Sequence, residues 1–107
     1  MQVLAPLQAG RTALVPRYDW HAQRWAAPWP LQRPTLLVVE GVGAGALDAA
    51  SYVSALVWVE VEESERRRRS LRRDAEIYDD EHWAQWALQE CEYLASDRPH
   101  ERADLRV

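Results

Sequence analysis

Two unbroken apolar runs constrain this chain more than any other feature. Thr35-Leu36-Leu37-Val38-Val39-Glu40 ends in an acid, and Leu56-Val57-Trp58-Val59-Glu60-Val61 follows. Apolar and polar residues do not alternate along them, as they would in a strand with one wet face. Such runs suit strands buried on both faces, which means a parallel sheet covered by helices. The 15 residues between them are enough for a right-handed crossover with one short helix near 46–53. The expected fold class is α/β, a parallel sheet flanked by helices, in a single domain over 1–107.

Four segments make up that domain. Residues 1–34 hold five of the six prolines together with Trp20, Trp25 and Trp29. Proline lacks a donor and fixes φ, so this segment reads as irregular, with at most a short helix over 20–27. Trp25 and Trp29 are expected to pack onto the sheet. Residues 35–61 read as strand, glycine turn, short helix, strand. Residues 62–96 read as helical, in two unlike halves. From Glu62 to Asp74 the only apolar residue is Leu71, so that half has no face to bury. It must project into solvent or lie over a charged ligand. In the second half Ala84, Ala87, Leu88, Cys91 and Leu94 follow helical spacing beside Trp83 and Trp86, which predicts an amphipathic core helix capped by Asp79 or Asp80. Residues 97–107 hold Pro99, a charged turn and a third strand over 103–107.

Composition excludes some chemistry. All 13 basic residues are Arg, so no lysine of this chain can bind a nucleotide phosphate or form a Schiff base. Cys91 is the only cysteine, which removes an intrachain disulfide and a cysteine-built zinc site and suggests a reducing compartment. The first twelve residues lack the pattern of a secretory signal, and no apolar run reaches the ~18–20 residues of a membrane span. The expected location is cytoplasmic, with no membrane partner. A net charge of -4 argues against a dedicated nucleic-acid binder.

Several constellations carry possible chemistry. Glu40, at the end of an apolar run and before Gly41, Gly43 and Gly45, stands where open α/β sheets bind ligands; an acid there can hold Mg²⁺ or orient a water. The same glycines with Ala46 and Glu60 match a dinucleotide fingerprint loosely, but the helix that should follow is short and interrupted by Ser51 and Ser54. Arg66, Arg67, Arg68, Arg69, Arg72 and Arg73 fill six of eight consecutive positions, with Arg66, Arg69 and Arg73 on one helical face. They read as a phosphate clamp, as a solvated helix paired with Glu62, Glu63 and Glu65, or as a short nucleic-acid patch. Tyr18-Asp19-Trp20-His21, near Arg24 and Trp25, joins stacking surfaces to hydrogen-bonding groups and suits a flat polar ligand such as a nucleobase. His21, His82 and His100 have no metal-ligand spacing and read as surface residues. Cys91 reads as a small core residue.

The order of these pieces resembles a known family. YDW, LLVVEGVGAG, LVWVEV, ERRRRSLRRD, a W..W...E helix and DRPHERADLRV follow one another as in the uridine kinase-like branch of the P-loop nucleoside and nucleotide kinases, of the actinobacterial type. The resemblance covers about residues 3–107. It implies a partial P-loop NTPase fold that lacks the first strand and the P-loop. It also implies ATP and Mg as cofactors, and transfer of the ATP γ-phosphoryl group to a nucleoside or similar small hydroxyl substrate. Tyr18, Asp19 and Trp20 would lie at the substrate. Glu40 would be the catalytic acid close to Mg²⁺. Arg66, Arg69 and Arg73 would form the phosphate-binding lid, with Arg69 and Arg73 acting on the transferred group and Asp74 following. Gln23, Trp25 and Ser70 depart from the family pattern. In the family, a strand leading into the P-loop separates the two apolar runs; without it they pair directly, or leave an edge open to a homo-oligomer or to an N-terminal segment that completes the sheet.

The chain alone is expected to be inactive as a kinase, because the phosphate cradle supplies the positioning and charge neutralisation that phosphoryl transfer needs. The alternative expectation is a non-catalytic remnant of the fold that binds nucleotide or protein.

Overall fold

The computed structural model describes residues 2–74 and 80–107, with Asp74 and Asp80 described by backbone alone. The described residues divide into two units, one within 2–44 and 48–53, the other within 45–47, 54–74 and 80–107.

The first unit opens with helix α1, Leu4–Gln8. Gly10 stops it in the left-handed region at φ 72, where glycine is favoured, and the last carbonyls are closed by Gly10 N–H to Leu7 (3.0 Å) and Arg11 N–H to Pro6 (2.8 Å). Strands β1 (Ala13–Asp19) and β2 (Arg24–Leu31) then form an antiparallel hairpin. Its turn is fixed by Asp19, whose Oδ1 accepts the Ala22 N–H at 2.9 Å, and by Gln23 at φ 49. A bulge between Val15 and Arg17 takes up the irregularity at Pro16. Ala13 and Leu7 are buried, where α1 packs on β1.

This hairpin corrects the expectation of an irregular segment with a helix over 20–27. In a two-stranded ribbon each strand is an edge, so Pro16, Pro28 and Pro30 cost far less than they would in a central strand.

The run 35–40 is the second correction. It forms no strand, and its side chains face solvent, with Leu36 79% and Val38 77% exposed. A strand needs a neighbour, and none of the described strands pairs with this run. Short 3-10 turns follow at Val42–Gly45 and Leu47–Tyr52 in place of the expected crossover helix.

The second unit holds β3 (Val57–Trp58), α2 (Glu63–Asp74), α3 (Asp80–Asp97), α4 (Pro99–Arg102) and β4 (Leu105–Arg106). β3 and β4 pair in parallel, two residues long. The expected parallel sheet flanked by helices is therefore overturned: the described residues carry an antiparallel hairpin and a separate two-strand parallel pair. Acids in the first turn of α2 and arginines in its last turn suit the helix dipole.

α3 does not act as the expected core helix. Ala84, Leu88 and Cys91 are exposed, and Ala87 and Leu94 are half-buried. Its amphipathic spacing is present, but the sheet it would cover is not. The expected cap at Asp79 or the Asp80 side chain lies outside the described residues. α3 ends at Arg98, held at φ 47, and the wholly buried Pro99 starts α4, a position that needs no N–H.

Candidate functional site

The first candidate site grows from the hairpin register. Tyr18 stands directly across from Trp25, so the two share a face, and Trp20 lies two residues beyond Tyr18. The Tyr18 ring meets Trp20 edge-on (4.8 Å, 72°) and Trp25 edge-on (5.3 Å, 79°). Edge-to-face contact matches the positive rim of one ring to the negative face of another and leaves the outer surfaces free for a ligand. Trp20 remains 63% and Trp25 69% exposed. Trp25 and Trp29 therefore do not pack onto a sheet as expected. Asp19 is committed to its turn through Ala22.

Glu40 belongs to the same unit and is exposed at the end of an irregular segment, not of a strand. The run before it forms no strand, so Glu40 does not stand at the carboxyl end of a sheet strand as expected. No group of three His, Cys, Asp or Glu side chains able to hold a metal ion occurs among the described residues. Mg²⁺ often travels with the phosphates of its nucleotide and needs only one or two carboxylates from the protein.

The second candidate site is the arginine helix. Arg66 Nη1 meets Glu90 Oε2 of α3 at 2.6 Å, a half-buried ion pair that ties the two helices together. Arg68 and Arg69 both grip Glu65 one turn back, Arg68 through two bonds (2.8 and 2.7 Å) and Arg69 through one (2.6 Å). The two guanidiniums hold the Glu65 carboxyl at about 2, well below the ordinary 4.5, and Glu65 in turn raises Arg68. Arg66, Arg69 and Arg73 do share α2, and Arg69 and Arg73 are exposed. Of these, Arg66 and Arg69 are already neutralised within the molecule, a state read from spacing only as the solvated-helix alternative. Asp74 has no described side chain.

A polar cluster that sequence reasoning missed closes the second unit. The Asp97 carboxylate accepts the Leu47 N–H (2.9 Å) and the Ser96 hydroxyl (2.7 Å), and these bonds, Leu47 first, lower its pKa. Arg102 donates to the carbonyls of Asp97 (2.9 Å) and Gly45. Tyr93 hydroxyl and His100 Nδ1 are buried without a hydrogen-bond partner among the described residues. Burial first, and then Asp97, push the Tyr93 pKa up. The His100 ring leans on Trp58 at 5.6 Å, with Nε2 3.8 Å from Glu101. The partners lie as much as 57 residues apart in the chain, so no local spacing announces them.

No described helix is long and apolar enough to cross a membrane. No family model matches the chain, and no match emerges among curated proteins or solved structures.

Proposed function

We propose that this chain carries the substrate side and the arginine lid of an ATP-dependent kinase acting on a nucleoside or similar small hydroxyl compound. The observation that carries the reading is the parallel pairing of β3 with β4 through a connection made of α2, α3 and the short α4. An arginine-rich helix leaving one parallel strand and returning through a second helix to its neighbour is a suitable mount for a phosphate lid. Arg69 and Arg73 sit exposed on that helix, and the Arg69–Glu65 bond is a surface pair of the weak kind that an incoming triphosphate can replace. Tyr18 and Trp20 offer the stacking surface for a base. The order of motifs, which resembles the uridine kinase-like family, supports the same reading.

ATP enters as its magnesium complex, as a substrate. In this reading Tyr18, Asp19 and Trp20 hold the acceptor, and Arg66, Arg69 and Arg73 neutralise charge on the phosphates. The chain has no lysine, so the phosphate-binding lysine of such a kinase must come from polypeptide outside these residues. The lone cysteine fits a reducing, cytoplasmic setting.

A backbone-amide NMR titration of the full chain tests this. MgATP should perturb Arg69 and Arg73, and uridine should perturb Tyr18–Trp20. No perturbation by either at millimolar concentration overturns the reading. Phosphorylation of uridine by the pure chain would overturn the statement that the lysine comes from elsewhere.

A second reading, a non-catalytic module that binds another protein, is favoured by the solvent-facing run at Leu36–Val39. It predicts silence in both titrations.

A further inference from the structure

We propose that the β1–β2 hairpin is a binding surface for single-stranded nucleic acid, independent of any kinase role. The chain as a whole is acidic, and the distribution of charge decides otherwise for this segment. Residues 11–33 hold four arginines, Arg11, Arg17, Arg24 and Arg33, against one acid, Asp19. All four are exposed, and none of their guanidiniums has an ion-pair or hydrogen-bond partner among the described residues. In the second unit five arginines, Arg66, Arg68, Arg69, Arg98 and Arg102, are engaged by acids or carbonyls. Unpaired guanidiniums can meet a phosphate without breaking an internal bond.

Between these charges lie the stacking surfaces. Tyr18, Trp20 and Trp25 form one contiguous aromatic cluster on one face of the ribbon, continued toward the open end by the exposed Leu14. Arg11 and Arg33 flank the open end of the hairpin, and Arg17 and Arg24 alternate with Tyr18 and Trp25 near the turn. Arg17 and Arg24 emerge on the opposite face, but a two-stranded ribbon is only about 5 Å across, and a guanidinium on a three-carbon stem reaches round its edge. Bases stacked on aromatic rings with arginines along the phosphates is the general arrangement for binding single strands without strong sequence preference. Seven residues of β1 span roughly 20–25 Å, room for several nucleotides rather than one. A duplex hides the faces of its bases and cannot use the Trp surfaces.

The test is fluorescence anisotropy of a labelled fifteen-nucleotide oligo-dT titrated with the full chain, from low to moderate salt. Binding should weaken with salt at a log–log slope approaching about −3 if all four arginines contact phosphates, at roughly 0.7 per phosphate. Trp25→Ala should weaken binding about tenfold, within the range for one lost stacked base, with the slope unchanged. The double variant Arg17→Gln/Arg24→Gln should flatten the slope by about 1.4 while the Trp fluorescence quench on binding persists. Both variants alter exposed side chains, and far-ultraviolet circular dichroism checks that each still folds. Four outcomes overturn the proposal: no binding at low salt; equal binding of a duplex of the same length; displacement of oligo-dT by UMP at an equal nucleotide concentration; or loss of binding in Arg69→Gln but not in the hairpin variants.

Discussion

Asp104 and Leu56 clasp each other through both backbone and side chain: Asp104 Oδ2 accepts the Leu56 N–H at 2.7 Å, and the Leu56 carbonyl accepts the Asp104 N–H at 2.8 Å. This clasp sits at the entrance to the parallel pair, which continues with Val107 N–H to Trp58 (2.9 Å) and Glu60 N–H to Val107 (2.8 Å). A pair only two residues long has little else to set its register. Asp104→Ala removes a charge-assisted bond and should cost about 1–2 kcal/mol. Hydrogen exchange at Glu60 and Val107 reads it directly. Protection there should fall by roughly tenfold, and unchanged protection would show that the clasp does not hold the strands.

Gly45 is the tightest point of the second unit. A Cβ at this position would lie 2.9 Å from Pro99 Cβ, 3.2 Å from Leu56 Cδ1 and 3.4 Å from the Tyr93 hydroxyl. Pro99 is wholly buried and its ring is rigid, so it cannot give way. Gly45→Ala should destabilise the unit by about 1–3 kcal/mol through overpacking. Gly43→Ala, where nothing lies within 4 Å, is the control and should be near neutral. Urea unfolding followed by Trp fluorescence separates the two, and equal midpoints would contradict the packing described.

The Arg66–Glu90 pair joins α2 to α3. The two side chains retain 38% and 24% of their exposure, so water screens the pair only in part. A double-mutant cycle with Arg66→Ala and Glu90→Ala should give a coupling of about 0.5–1 kcal/mol, at the upper end for surface pairs. Zero coupling would return Arg66 to the pool of arginines free for phosphate and strengthen its assignment to the lid.

The two long helices were legible because helical signals are local; α1 and α4 fall where an irregular segment and a charged turn were expected. The span 62–96 appears as α2 and α3, and the strand over 103–107 appears as Leu105–Arg106. The run 56–61 survives as Val57–Trp58 because β4 comes back to pair with it. The run 35–40 has equally strong strand character and no partner among the described strands, and no local pattern reports that. The hairpin was hidden by Pro16, Pro28 and Pro30, since the penalty for proline depends on whether a strand is central. Tyr18 and Trp20, with Trp25 near them, were readable as stacking surfaces; the place of Trp25 across from Tyr18 was not, because it depends on the turn at Asp19 and on the register. The arginine run was readable as charge, but the bond of Arg66 to Glu90, 24 residues away, belongs to the packing of two helices.

Glu65 provides a pH-dependent signature of α2. Hydrogen bonds from Arg68 and then Arg69 favour its ionised form, and its carboxyl titrates at about 2 in the folded helix against 4.5 as the ordinary value. The unfolded chain therefore takes up this proton first. Support for the helix is fully present above about 4.5 and is lost as pH falls from there towards 2. The carboxyl carbon of Glu65, followed by NMR, should show a midpoint well below those of exposed glutamates. Helix content at 222 nm should decline over the same window, and Glu65→Gln should remove that part of the decline. Because the group is exposed, 1 M NaCl should move the midpoint back up towards 4.5. A midpoint of 4.5 at low salt would mean that Arg68 and Arg69 do not hold Glu65 in solution, and both would then be open to an anionic ligand.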